Sequence, residues 1–195
     1  MKFLAISLAG GLLMGGGAPA NVSQQLADSF QEKLTRIVRH AEAKSDRVRQ
    51  TILTEGEVNS YLRFRAGSQL PVGVTDPSVG IQGEGRLNGR AVVDLDVIRE
   101  KKSSGGWFDP TSYLTGRLPV TASGVLHTKD GKGRFALETA AVSGIPIPKT
   151  FLQEIVSFYT RTDDNPGGIN IDDVFELPAE IRSIGVDKGR AIVVQ

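Results

Sequence analysis

The chain contains no cysteine. That excludes disulfides, thiolate metal sites and cysteine nucleophiles together. Histidine is scarce: His40 and His127 are the only two. Neither lies beside an acid–serine pattern, and no serine occupies a Gly-x-Ser-x-Gly elbow. Neither sign of charge is in excess, with 23 Lys+Arg against 22 Asp+Glu. A general nucleic-acid binder carries a basic surplus, so nucleic acid is not an expected partner. The balance also argues against attraction to an anionic membrane by bulk charge alone. Aromatic residues make up only 6% of the chain, with Trp107 the single tryptophan.

Residues 1–20, MKFLAISLAGGLLMGGGAPA, hold one basic residue (Lys2), an apolar run and a small-residue Ala18-Pro19-Ala20 ending. That is the layout of an export leader, with cleavage expected after Ala20. The run is shorter and richer in glycine than a membrane-spanning helix requires. Residues 21–195 are then expected to form a single domain in the periplasm or another extracytoplasmic part of the cell envelope. A domain of that size can bury a real core.

Residues 22–44 place Val22, Leu26, Phe30, Leu34, Ile37, Val38 and Ala41 at three- and four-residue steps, which predicts a long amphipathic helix capped by Ser23. Residues 47–53 read as a strand. Thr54 with Glu57 three residues later is a capping box opening a second helix through Leu62. Residues 78–87 and 90–98 read as a hairpin about Asn88-Gly89, and 117–128 with 133–143 as a hairpin about Asp130-Gly131. An elbow at Gly144 and two prolines leads to a short helix, residues 151–159. Phe151, Leu152, Ile155, Val156, Phe158 and Tyr159 cover roughly 160° of it, more than the usual surface stripe. Strands near 174–177, 181–186 and 190–195 close the chain. The order is α+β, with helices packed on one face of a curved antiparallel sheet of hairpins.

Polar motifs with possible chemistry mostly read as structure. Asp94 and Asp96 flank Leu95 on a predicted strand and share one side of it. A solvated strand face explains them as well as a metal pair does. The acidic DDNPGGINIDD segment (163–173) misses calcium-loop spacing and reads as a turn. Gly83 to Gly89 lacks the helix that a phosphate-binding glycine loop requires. No cofactor and no metal site is expected. Apolar surface is what remains. In residues 99–114, Trp107 and Phe108 stand near Lys101 and Lys102, a combination suited to a membrane interface or to plugging a core.

LTEGEVNSYL (53–62) resembles the I-T-x-x-x-[LV]-N-x-x-L segment of the LmeA-like phospholipid-binding proteins of bacteria. VSGIPIP (142–148) before an oily helix, and ELPAEIRSIGVDKGRAIVVQ (176–195), resemble that family's later strand–helix and closing hairpin. The family is similar to the wider tubular lipid-binding (TULIP-like) group. The resemblance implies a curved sheet wrapped around the long N-terminal helix, with lipid tails in the groove between them. It implies a lipid ligand, possible peripheral membrane contact and no catalytic residues. The groove residues it points to are Phe30, Leu34, Ile37, Val38, Phe151, Leu152, Ile155 and Tyr159. Trp107, Phe108, Lys101 and Lys102 are the membrane-contact candidates. A non-enzymatic envelope scaffold is the alternative. An envelope lipid or glycan hydrolase using Asp94, Asp96 or His127 is the third reading.

Overall fold

The computed structural model describes residues 21–44, 47–97, 116–161 and 165–195, apart from the side chains of Ile155 and of 158–160. The expected leader (1–20) and the segment bearing Lys101, Lys102, Trp107 and Phe108 lie outside the described residues.

Over the described residues the fold is α+β and wholly antiparallel, with two sheets where the sequence predicts one. The smaller sheet has the order β1 (Gln50–Thr54), β9 (Arg190–Val194), β8 (Ser183–Asp187). The larger runs β2 (Val74–Gly83), β3 (Arg86–Asp94), β4 (Arg117–Lys129), β5 (Lys132–Val142), β6 (Ile145–Pro146), and β7 (Phe175–Glu176) also pairs with β5. The larger sheet is open. Side chains and turns join the two sheets. Thr128 Oγ1 donates to Ile184 C=O (3.0 Å) and accepts from its N–H (2.8 Å). The Gly189 N–H donates to Ile81 C=O (2.8 Å).

Helix α1 (Gln24–Glu42) starts at Ser23, whose hydroxyl accepts from the Leu26 N–H (3.2 Å). Its packing partners are α2 (Glu55–Phe64) and β1. Phe30 and Ile37 enter a core with Leu53, Leu177, Ile181 and Val193. Burying such side chains stabilises by about 1.5–3 kcal/mol each. The apolar stripe of α1 is therefore used mainly against α2 and the small sheet.

The polar residues of α2 act as connectors. Thr54 and Glu57 form the expected capping box. Glu57 also accepts from Ser29 Oγ (2.6 Å) and pairs with Lys33 Nζ (2.6 Å), which ties α2 to α1. The hydroxyl of Ser60 accepts from the Ser23 N–H (3.2 Å). Asn59 and Glu55 serve the free edge of β2. The Asn59 amide donates to Val79 C=O (2.7 Å) and accepts from the Val79 N–H (2.8 Å), as a neighbouring strand would. Glu55 Oε2 accepts from the Ile81 N–H (2.7 Å). An edge strand needs such cover. Asn59→Ala leaves both Val79 groups without these partners, and we expect a loss of about 2 kcal/mol. A urea midpoint unchanged from the parent chain would refute that assignment.

Two expected local features move. The β2–β3 turn falls at Glu84-Gly85, both at positive φ (54° and 78°), and Asn88-Gly89 lies inside β3. Asn88 pairs with Gly80, and a Cβ on Gly80 would stand 2.2 Å from Asn88 Oδ1. Glycine at 80 therefore makes room for an in-strand asparagine. Strand β3 also stops at Asp94, where the predicted strand ran to 98. The Asp94 carboxylate accepts from the N–H groups of Asp96 and Val97 (3.1 Å each), capping the helical turn at 95–97. The Asp130-Gly131 turn is as expected, at φ 50° and 79°.

Candidate functional site

Residues paired across an antiparallel ladder share a face, and neighbours along a strand alternate. Register therefore sorts the larger sheet into two surfaces. One carries Val74, Val79 and Ile81 from β2, with Leu87, Ala91 and Val93 from β3. It continues through Leu118, Val120, Ala122 and Leu126 of β4 to Phe135, Leu137, Ala140 and Val142 of β5. Every side chain named is apolar. The other surface carries Arg86, Asn88, Arg90, Thr121, Ser123, His127, Lys132 and Arg134, interspersed with Val92, Pro119, Val125, Ala136 and Ala141.

A register shift between Ser123 and Gly124 keeps the apolar surface in phase. Thr139 faces Ser123 and Leu137 faces Gly124, so Glu138 is the extra residue of a bulge. Strict alternation from Phe135 and Leu137 would bring Thr139 and Ala141 onto the apolar side. The bulge substitutes Ala140 and Val142.

This apolar surface is incompletely covered. Ile81 and Ala140 are buried, but Leu87, Ala91, Val93, Leu118, Val120, Ala122, Leu126, Phe135, Leu137 and Val142 remain half-buried. A sheet facing a closed core would bury such residues fully. A groove of about 1240 Å³ lies between the start of α1, helix α2 and strand β2. Val22, Leu26, Leu62 and Leu70 form much of its apolar lining, and Asn59, Ser78, Gln82 and Asn88 with the charged Glu55, Arg63, Asp76 and Lys188 much of its polar lining. Val74, Val79 and Ile81 belong to both groove and apolar surface. The groove exceeds the roughly 300–1,000 Å³ of ordinary small-molecule sites. A second pocket of about 760 Å³, where the β2–β3 and β8–β9 turns meet, carries Glu84, Arg86, Asp187, Lys188 and Arg190. It is polar and mixed in charge.

The groove candidates separate. Phe30 and Ile37 are core residues, Leu34 packs beside them, and Val38 is 47% exposed. Phe151 and Leu152 are half-buried on α3 (Lys149–Thr160), which packs against β5. The side chains of Ile155 and Tyr159 lie outside the described residues. A return segment is held along α3: Gln153 Oε1 accepts from the Ile171 N–H (2.7 Å), and Lys149 pairs with Asp172 (2.5 Å).

The polar candidates do not converge. Asp94 is a cap, Asp96 accepts from the Gly116 N–H (3.0 Å), and His127 is exposed on the polar surface of β4. His40 meets the Arg47 carbonyl at 3.1 Å. Among the described residues, no cluster of three or more His, Asp or Glu side chains is arranged to hold a metal ion. Among the described residues, the one strongly shifted acid is structural. Burial alone would raise the Glu57 pKa, but bonds from Lys33, Ser29 and the Thr54 N–H hold it down at about 2.

Comparison with protein-family models, curated proteins and solved structures returned no match.

Proposed function

We propose that the chain is a lipid-binding protein of the cell envelope, holding acyl chains against the apolar surface of the larger sheet. The observation that carries this reading is the row of half-buried Leu87, Ala91, Val93, Leu118, Val120 and Leu137, all on one side of an open sheet. Each methylene taken out of water there is worth about 0.8 kcal/mol. A ligand with one or two long chains gains enough for tight binding without a charged anchor. In this reading the sheet curves about its own apolar side. The groove beside α2 extends the same surface, and its polar lining suits a headgroup. Phe151 and Leu152 of α3 border the ligand from the β5 side. Phe30 and Ile37 do not touch it. Residues 1–20 act as the export leader, and the Trp107 loop contacts the membrane surface.

Native mass spectrometry of the purified protein, with extraction of whatever it carries, tests the proposal. We expect one phospholipid, fatty acid or other acyl or isoprenoid lipid per chain, or uptake of one from vesicles of phosphatidylethanolamine and phosphatidylglycerol. A protein that arrives empty and takes up none of these would sink the reading.

A further inference from the structure

Strands β6 and β7 pair with the same edge of β5 and run in the same direction, at its two ends. They are the two halves of one interrupted edge strand. The chain leaves the edge after Ile147, whose N–H donates to Ala140 C=O (2.9 Å), and is back on it at Phe175. Residues 148–161 and 165–174 lie off this edge, and the polar anchors Lys149, Gln153 and Ser157 of the first hold the second.

Between the halves, β5 presents backbone that no described residue pairs. The Leu126 N–H turns toward β3 and donates to Gly85 C=O (2.8 Å). Its cross-strand partner Phe135 therefore turns its N–H and C=O away from β4. Two residues on, Leu137 does the same. Among the described residues, none bonds to these four groups.

We propose that this gap docks an extended peptide segment of another protein, added antiparallel to β5. Alternating donors and acceptors at strand spacing match a peptide backbone, and no lipid or sugar carries that pattern. Side chains opposite Phe135 and Leu137 fall on the apolar surface. The one between them falls beside Arg134, which has no ion pair among the described residues. The matching sequence is therefore apolar–acidic–apolar. The gap admits only a few residues before Ile147 and Phe175 close it, so binding is weak and fast.

Amide hydrogen exchange on the full chain, with acetyl-Thr-Val-Asp-Val-Thr-amide as the probe, tests this. We expect the Phe135 and Leu137 amides to exchange rapidly in the free protein and at least tenfold more slowly at saturating peptide. N-methylation of both valines should abolish the effect, and N-methylation of the aspartate should not. Leu137→Pro removes one outward donor at an edge position that tolerates proline, and it should weaken the slowing. The N-methyl pair keeps the test sharp if that variant fails to fold. Protection of both amides in the free monomer, or equal slowing by the N-methyl-valine peptide, would overturn the proposal. So would protection that tracks a doubling of mass in sedimentation, because the occupant would then be a second copy of this chain.

Discussion

Glu57→Gln is expected to destabilise the protein by about 3 kcal/mol at neutral pH. The Glu57 carboxyl stands at about 2, below its ordinary 4.5, and each unit of such a difference is worth about 1.36 kcal/mol. The glutamine leaves Lys33 without its carboxylate and loosens the bonds from Ser29 and Thr54. For a domain of this size the loss amounts to roughly 6–12 °C in melting temperature. The sign with pH follows from the direction of the shift. A depressed folded-state pKa contributes stability that is complete above about pH 4.5 and disappears as pH falls toward about 2. The parent chain should therefore lose stability over that interval, and Glu57→Gln should show a flatter acid limb. Parallel limbs in calorimetry from pH 7 to 2.5 would mean that Glu57 does not couple α1 to α2.

The second large effect is on ligand uptake. Val120→Lys should lower lipid binding at least tenfold while leaving the fold intact. Val120 is half-buried on the apolar surface, opposite Ala91 and Val142. A lysine there reaches water in the free protein. Under an acyl chain it would be a desolvated, unpaired charge, costing several kcal/mol. Thr121→Lys is the matched control. It adds the same charge one residue along, on the exposed polar surface. Titration with a fluorescent phospholipid separates the outcomes. Equal affinities for the two variants would remove the apolar surface from consideration as the lipid site.

What could be read from the chain in advance was local. The three- and four-residue spacing of α1, the Thr54–Glu57 capping box and the Asp130-Gly131 turn each sit within a short window, and each is found in place. What depends on distant partners was not readable. Asn88-Gly89 is a strong turn dipeptide, and only its pairing with Gly80 places it within a strand. The division into two sheets follows from β1 joining β9, which no local signal announces. The candidate site suffered the same way. The bulge at Glu138 shifts the apolar positions of β5 by one residue and hides their continuity with β4. Residues Phe30 and Ile37 looked like ligand-binding positions because an amphipathic stripe has the same pattern whether it meets protein or lipid.

The pairing of Gln50 with Val194 has a consequence in time. Strand β9 is the middle strand of the small sheet, and Val193 completes the core around Phe30 and Ile37. During synthesis α1 and its partner α2 emerge early, but Leu177, Ile181 and Val193, which close the core around Phe30 and Ile37, come much later. A ribosome halted anywhere before Arg190 holds a chain whose core has no floor. Contacts this far apart in sequence form slowly. Val193 thus closes the core from a strand that arrives last among its core partners.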